Sequence, residues 1–205
     1  KVRELDGLTP YKGWYKASWL PEDSGEPMTT ICENDILYDV DIENGQKTGF
    51  FLDQKYNRLA VSRLAVGKHV LDCFTHTGAF ALNAARGGAV SVTAVDISEE
   101  AVERTLSNIE KNDFSPTVKV VQANVFDLLT QLAEEKNRDY DFIILDPPAF
   151  TKSGHTLKNA YRGCKEINLK AMKILPRGGY LATCSCSHFM TDELFRRMLK
   201  EAADD

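Results

Sequence analysis

Two cysteines, Cys184 and Cys186, follow a short apolar segment in the run Y-L-A-T-C-S-C-S. Cysteines that end a strand and face one crevice suit a thiolate nucleophile. A Cys-x-Cys pair can instead bind a metal, but the histidines that would complete the ligand set, His69, His76 and His155, are scattered, so no metal is predicted. Burial of both cysteines as small apolar residues is the other alternative.

An acid followed by two prolines forms the second chemically informative group. Asp146, Pro147 and Pro148 come directly after the apolar run F-I-I-L, and Phe150 lies two positions further on. The prolines fix the backbone and donate no N–H, which leaves a rigid edge beside the acid. Such an edge can hold a flat base while Asp146 bonds its polar rim and Phe150 stacks on its face. A plain turn is the alternative interpretation.

The segment V-L-D-C-F-T-H-T-G, residues 70–78, predicts a strand, a loop and the start of a helix. In such a turn the backbone passes close to a ligand and the helix N-terminus faces it. The positions spaced like a glycine-rich dinucleotide fingerprint are Phe74, His76 and Gly78, so two of the three glycines are missing. This argues against a nicotinamide dehydrogenase. A ligand that has an adenosine but no phosphates fits better, and we therefore predict S-adenosylmethionine (SAM).

Polar residues at three successive strand ends are predicted to hold this cofactor. Asp72 ends the first strand, and Asp96 ends the second, 24 positions later, where an acid can accept both hydroxyls of a ribose. Asn124 follows the third strand and could meet the adenine amino group. Capping of the next helix is the alternative for both Asp96 and Asn124. The neighbouring residues predicted as further cofactor contacts are Thr75, Gly78, Ile97 and Val125.

A polar stretch with two aromatic residues, 48–54, lies shortly before the first strand of this pattern. Its position suits one wall of the cofactor pocket. Phe51 and Gln54 are therefore also predicted to contact the cofactor.

Strands and helices alternate from residue 70 to the end of the chain. Strands are predicted at 70–71, 91–95, 118–121, 142–145 and 180–184, with helices at 79–87, from Ser98, from Phe126, at about 165–175 and from Asp192. On the helix from Ser98, the apolar residues Val102, Leu106 and Ile109 share one face. This alternation predicts an α/β, Rossmann-like fold with a mainly parallel sheet covered on both faces. Ligands should gather at the carboxyl ends of its strands.

The region before this pattern, residues 1–52, is predicted as an N-terminal extension to a domain spanning 53–205. Ile36, Tyr38, Val40 and Ile42 share one face of a strand-like segment. Asn44-Gly45 predicts the turn of a β-hairpin, because both residues tolerate positive φ. A helix is predicted over 55–64.

Composition and charge limit the possible settings. No apolar run approaches the length of a membrane span and no signal peptide is recognisable. Five cysteines without a disulfide framework indicate a reducing, cytoplasmic location. The net charge of −5 makes the chain as a whole a poor electrostatic match for nucleic acid. Local basic residues such as Lys152 and Arg162 would have to contact any RNA. No pattern predicts an oligomeric state.

Six motifs resemble the RlmI-type class I SAM-dependent methyltransferases, which make 5-methylcytosine in large-subunit ribosomal RNA. They are G-Q-K-T-G-F-F-L-D-Q (45–54), V-L-D-C-F-T-H-T-G-A-F-A-L (70–82), V-D-I-S (95–98), I-L-D-P-P-A-F-T-K-S (144–153), R-G-C-K-E-I-N-L (162–169) and A-T-C-S-C-S-H (182–188). The resemblance implies a class I methyltransferase fold, SAM as cofactor and ribosomal RNA as partner. It also implies that this chain, which begins without Met, is a fragment lacking the family's N-terminal PUA domain and C-terminal strands. Such a fragment should methylate RNA poorly by itself.

The same resemblance implies covalent catalysis. A thiolate that adds to carbon 6 of cytosine makes carbon 5 nucleophilic enough to take a methyl group. The T-C-S match implies that Cys184 is the nucleophile, with Cys186 as the second candidate, and Asp146 would hydrogen-bond or protonate N3 of the base. Asn124 stands where the family usually has Asp, although an amide oxygen can still accept a hydrogen bond.

Two other functions remain open at this stage. A guanine-N7 methyltransferase of ribosomal RNA would share the early motifs and D-P-P but would not need the cysteines. A catalytically idle module that binds SAM or RNA is favoured by Asn124 and by the acidic charge, and disfavoured by the cysteines and D-P-P.

Overall fold

The computed structural model describes residues 28–43, 45, 49–150, 157–187 and 189–205. Its strands are β1 (Met28–Glu33), β2 (Ile36–Asp41), β3 (His69–Cys73), β4 (Ser91–Asp96), β5 (Val118–Gln122), β6 (Phe142–Leu145) and β7 (Tyr180–Thr183). Its helices are α1 (Lys55–Leu64), α2 (Ala79–Arg86), α3 (Glu99–Lys111), α4 (Val125–Glu134), α5 (Leu157–Ile174) and α6 (Asp192–Asp204). None of these described helices is both long and apolar enough to cross a membrane.

Strands β3 to β7 form one parallel sheet in the order β5-β4-β3-β6-β7. The chain moves outward from β3 through β4 to β5 and then crosses back to β6 and β7. The winding direction therefore reverses between β3 and β6, and the loops after these two neighbouring strands diverge and leave a crevice. The sheet confirms the predicted Rossmann-like fold, and the antiparallel β1–β2 hairpin precedes it as predicted.

Both faces of the sheet are buried, which explains why its central strands are continuous apolar runs. Val70 and Ile144 belong to a core cluster shared with α1 and α2. Leu71 and Ile143, one position away, belong to a second cluster shared with α4 and α5. Helix α5 begins at Leu157, earlier than the predicted start near residue 165.

The turn of the hairpin differs from the prediction. Asn34 and Asp35 form it, with φ of 53° and 58°. Positive φ at both central positions is what a tight two-residue hairpin requires, and Asn and Asp tolerate it. Because β2 ends at Asp41, the assignment of the turn to Asn44-Gly45 was wrong; Asn44 itself lies outside the described residues. The predicted boundary between residues 52 and 53 falls in a 3₁₀ turn, Leu52–Gln54, and stays a prediction.

The buried face of α3 also differs from the prediction. Leu106 is 45% exposed, whereas Thr105 and Asn108 are almost completely buried beside Ile109. Of the three apolar residues predicted to share a face, Ile109 is buried and Val102 is half-buried, so the predicted face overlaps the buried face only in part. The physical reason is that α3 packs Ile109 into the core but also covers backbone of the loop after β3, and buried backbone groups need hydrogen-bond partners.

Helix α3 supplies those partners to the loop after β3 and to β2. Thr105 donates to the carbonyl of His76 at 3.1 Å, and Asn108 donates to the carbonyl of Thr77 at 3.0 Å. The Oδ1 atom of Asn108 also accepts from the backbone N–H of Asp39 at 3.1 Å. The hairpin, α3 and the loop are thus joined by hydrogen bonds beside the crevice.

Candidate functional site

A cavity of about 490 Å³ lies at the carboxyl ends of the central strands. This volume is within the range of small-molecule sites, roughly 300–1,000 Å³. Seven predicted cofactor residues line it: Phe51, Gln54, Thr75, Asp96, Ile97, Asn124 and Val125. Four predicted residues of the base and nucleophile site line it as well: Asp146, Pro147, Pro148 and Cys186. The structure therefore brings together most of the residues that the sequence singled out.

Several predicted residues lie away from the lining of this cavity. Phe150 packs against Phe126, with ring centroids 5.7 Å apart, and lines a small neighbouring void. Arg162 is exposed on α5. Cys184, Asp72 and Gly78 are also outside the lining, and Lys152 lies outside the described residues.

Asp72 is buried beneath the loop that follows β3. One carboxylate oxygen accepts hydrogen bonds from the Thr75 hydroxyl at 2.6 Å and from the backbone N–H of Ala81 at 3.0 Å. Burial raises the pKa of Asp72 to about 7, although the hydrogen bond from Thr75 opposes this shift. Asp72 therefore holds the loop against the start of α2 instead of facing the cavity.

The loop between β3 and α2 has a glycine-like backbone at the three fingerprint positions. Phe74, His76 and Gly78 have φ of 64°, 55° and 78°, all in the left-handed region. Left-handed backbone costs roughly 1–2 kcal/mol for a residue that has a Cβ. Because this strain occurs twice in a loop that lines the cavity, the loop must be held in place by its surroundings. The sequence shows that two of the three fingerprint glycines are replaced by other residues. It could not show that Phe74 and His76 nevertheless adopt the left-handed backbone of glycine.

Asp96 presents its carboxylate to the cavity from the end of β4. Its Oδ2 accepts from the backbone N–H of His76 at 3.0 Å, and its Oδ1 accepts from the N–H of Ser98 at 3.0 Å. Each oxygen keeps a further lone pair that can accept a ribose hydroxyl. Ser98, not Asp96, is the N-cap of α3, with its hydroxyl accepting from Ala101 at 3.4 Å. The capping alternative for Asp96 therefore does not hold.

Asn124 behaves differently from Asp96. It is the N-cap of α4, and its Oδ1 accepts from the backbone N–H of Phe126 at 2.9 Å. The capping alternative is thus realised, while the residue also lines the cavity. Its contact with adenine stays a prediction.

On the other side of the cavity, Asp146 follows β6 and faces the 3₁₀ turn before α1. The Nε2 atom of Gln54 lies 3.4 Å from each oxygen of Asp146. The backbone carbonyl of Pro147 lies 3.5 Å from the sulfur of Cys186. Asp146, the first proline and the second cysteine thus form one wall of the crevice between β3 and β6.

The two cysteines have different environments. Cys184 is half-buried and continues the sheet, donating its backbone N–H to the carbonyl of Leu145 at 2.8 Å. Burial, followed by the negative charge of Asp146, raises the pKa of the Cys184 thiol to about 12. Cys186 is exposed and lines the cavity. Because β7 ends at Thr183, the two side chains are not required to share one direction.

A buried ion pair near the cavity was missed by the sequence reasoning. Arg58 and Glu33 are 2% and 5% exposed, and their side chains meet through contacts of 2.6 and 2.9 Å. Arg58 also donates to the carbonyl of Phe51 at 2.8 Å and lies 4.7 Å from the ring centre of Phe50. The pair therefore ties the hairpin to the wall formed by residues 50–54. The available signal was that Arg58 lies three positions before Val61 on the helix predicted over 55–64, and so shares a face with an apolar residue.

Metal binding has no structural support within the described ranges, where no cluster of three or more His, Cys, Asp or Glu side chains could hold an ion.

Comparisons with known proteins identify the family. The sequence model of the S-adenosylmethionine-dependent methyltransferases matches residues 8–204. The chain belongs to this family. It is 42% identical over its whole length to "Ribosomal RNA large subunit methyltransferase I" of Pseudoalteromonas translucida, and 42% identical to the protein of the same name from Aeromonas salmonicida. In both cases the chain spans about half the length of the curated relative, because each match covers 50% of it.

Solved structures agree with this family assignment. The crystal structure of SMU.776 complexed with SAH superposes with a TM-score of 0.76 and 28% sequence identity, covering 89% of this chain and 48% of that one. The predicted methyltransferase class and its cofactor, SAM, are thereby confirmed. The residues on the cavity wall fit such a ligand, because Asp96 offers two fixed acceptors beside a loop whose backbone approaches closely.

Proposed function

We infer that this methyltransferase chain carries the catalytic centre of an RNA cytosine-C5 methyltransferase that acts on large-subunit ribosomal RNA. The observation that carries the proposal is the position of Cys186, exposed on the wall of the cofactor cavity beside the Asp146-Pro147-Pro148 turn. A guanine-N7 methyltransferase would need no cysteine there. The names of the relatives from P. translucida and A. salmonicida support the ribosomal RNA substrate.

The proposed reaction needs a nucleophile, because carbon 5 of cytosine is unreactive by itself. The cysteine thiolate adds to carbon 6, and the electrons of the 5,6 double bond become available at carbon 5. When bound, SAM supplies the electrophilic methyl group. After methylation a base takes the proton from carbon 5, and the cysteine leaves carbon 6 with its electron pair, which restores the double bond.

We assign the nucleophile to Cys186 rather than to Cys184, which the T-C-S match favoured. A nucleophilic cysteine must be accessible and able to ionise. Cys186 is exposed on the cavity wall, whereas Cys184 is half-buried beside Asp146, and that setting raises the pKa of its thiol to about 12. Cys184 then has a supporting role next to Asp146.

Asp146 is proposed to share one proton with N3 of the cytosine, so that N3 is protonated and its N–H donates to the Asp146 carboxylate while carbon 6 is attacked. Pro147 and Pro148 provide the rigid edge beside it, and Pro148 is exposed. Phe150 packs against Phe126, so the base would rest on the proline edge instead of stacking on Phe150. Cofactor binding is assigned to Asp96, with Thr75, Ile97, Asn124, Val125 and Phe51 around it.

We propose that the RNA backbone also contacts the first turns of α5, where Lys158 and Arg162 are exposed. Lys152 lies outside the described residues, and its contact with RNA stays a prediction. A net charge of −5 limits the phosphate contacts that this chain can offer. Most of the RNA affinity should therefore come from elsewhere in the protein, since the chain spans half of its curated relatives.

The test is a covalent complex with ribosomal RNA that contains 5-fluorocytosine. Fluorine at carbon 5 cannot leave as a cation, so the adduct between cysteine and base persists. We expect a SAM-dependent adduct, which peptide mass spectrometry would locate at Cys186. Methylation without any adduct would favour guanine-N7 chemistry. Absence of both methylation and SAM binding would favour an idle module.

A further inference from the structure

A short chain of side-chain hydrogen bonds runs from α1 to the base side of the cavity. Asn57 Nδ2 donates to Gln54 Oε1 at 2.5 Å. Gln54 Nε2 in turn faces both oxygens of Asp146 at 3.4 Å. One amide group thus connects Asn57 on α1 with Asp146 on the base side of the cavity.

We propose that Gln54 is a positioning residue that holds Asp146 in its reactive orientation, and that Asn57 determines which end of the Gln54 amide faces Asp146. This inference deepens the proposed function and rests on the role given there to Asp146. It differs from the prediction that Gln54 contacts SAM, because the side chain is assigned to Asp146 instead.

The orientation of the amide follows from the pattern of donors and acceptors. A carboxylate only accepts hydrogen bonds, so the amide nitrogen of Gln54 must face Asp146 and its oxygen must face away. The outward oxygen needs a donor, which the Asn57 amide supplies. If the Gln54 amide were reversed, its oxygen would face two carboxylate oxygens, and three acceptors would meet without a proton among them.

The backbone on either side of Gln54 is fixed, which makes this arrangement rigid. Arg58 follows Asn57 directly, is buried against Glu33, and donates to the carbonyl of Phe51 at 2.8 Å. The residues from Phe51 to Arg58 are therefore held at both ends around the 3₁₀ turn Leu52–Gln54. A side chain on such a segment can orient Asp146 at little entropic cost.

The kinetic test uses Gln54→Ala, Asn57→Asp and the double variant in the methylation assay. The aspartate in Asn57→Asp has the shape of asparagine but can only accept, so it favours the reversed Gln54 amide. We expect kcat to fall by roughly ten- to a hundredfold in each single variant, as misplaced catalytic groups do. The dissociation constant for SAM, measured by calorimetry, should stay within about twofold. In the double variant, Asn57→Asp should add no further loss, because Asn57 acts only through Gln54.

Tyr56→Ala is the matched control, since Tyr56 lies between the two residues and is 77% exposed. It should leave both kcat and SAM affinity unchanged. A loss of SAM affinity in Gln54→Ala with unchanged kcat would assign the side chain to the cofactor and overturn the proposal. Additive losses in the double variant would overturn the role of Asn57.

A second readout does not depend on the reaction. In nuclear magnetic resonance spectra, the side-chain NH₂ signals of Gln54 should shift in Asp146→Asn and in Asn57→Asp but not in Tyr56→Ala. If the Gln54 NH₂ signals do not shift in Asp146→Asn, the proposal is contradicted even if cytosine methylation is established. Conversely, if the protein fails to methylate cytosine but these shifts appear, the proposed function fails and the contact between Gln54 and Asp146 stands.

Discussion

The two halves of the crevice are built in different ways. On the side of β3 and β4, most polar groups are tied to each other: Asp72 to Thr75, Asp96 to the loop backbone, and the loop carbonyls to α3. On the side of β6 and β7, each strand is only four residues long, two prolines provide no backbone N–H donor, and Cys186 is exposed. The hydrogen-bonded side at β3 and β4 suits a cofactor, which binds in one fixed position. The open, rigid side at β6 and β7 suits a base that must enter and leave.

The largest expected effect separates the two cysteines on the open side. Cys186→Ala should reduce methylation by on the order of 10⁴-fold or more, as loss of a nucleophile does. Cys184→Ala should retain most of the activity, because that thiol is half-buried and outside the cavity lining. Labelled SAM and protein-free ribosomal RNA measure both. If Cys184→Ala abolished methylation and Cys186→Ala did not, Cys184 would be the nucleophile. The difference in exposure between the two cysteines would then not identify the nucleophile.

The second prediction concerns the cavity wall formed by residues 50–54, which the Arg58–Glu33 ion pair holds in place. Arg58→Met should lower the free energy of unfolding by about 3–5 kcal/mol, because it leaves the Glu33 carboxylate buried without its partner. Arg86→Met is the control, since its ion pair with Asp35 is exposed and such pairs contribute roughly 0–1 kcal/mol. Urea unfolding followed by circular dichroism measures both. Equal effects would show that burial of the Arg58 pair has no energetic consequence.

The third prediction concerns the closely fixed side. A Cβ on Gly78 would lie 2.8 Å from atoms of Leu82 and Thr105, at a φ of 78°. Gly78→Ala should therefore combine backbone strain with overpacking and cost about 2–4 kcal/mol of folding free energy.

Gly88→Ala is the matched control for this change. Gly88 also has positive φ, 94°, but nothing lies within 4 Å of its Cβ position. It should cost only the backbone strain, about 1–2 kcal/mol. If both variants unfold at the same urea concentration, the loop can move away from α3, and the cofactor side is less fixed than its contacts indicate.

The strands were predictable from the sequence because burial on both faces requires a continuous apolar run, as F-I-I-L at β6 illustrates. Asp96, Asp146 and Cys186 could be expected in one cavity, because parallel strands end at the same edge. Prediction failed where a polar residue is used for packing. Thr105 and Asn108 have the character of an outer face of α3, yet they are buried because they bond loop backbone that periodicity cannot reveal.

The same limit explains the choice between the cysteines. Their sequence spacing is compatible with a regular strand that turns both the same way. The end of β7 at Thr183, and hence the difference in exposure between Cys184 and Cys186, depends on contacts with Leu145 and Pro147 that are distant in the sequence.

The smallest expected effect concerns cofactor binding by Asp96. Asp96→Ala removes the carboxylate that is predicted to accept the ribose hydroxyls, and also the acceptor for the His76 and Ser98 N–H groups. Hydrogen bonds to a charged group contribute about 1.5–3 kcal/mol, so SAM should bind roughly ten- to a hundredfold more weakly. The helix behind it should persist, because Ser98 caps α3 independently. Glu103→Ala, which removes an exposed acid from the same helix, should leave the calorimetric affinity unchanged. If SAM binds Asp96→Ala as tightly as it binds the unchanged protein, the ribose is held elsewhere, and the hydrogen bonds of Asp96 serve only to hold the loop.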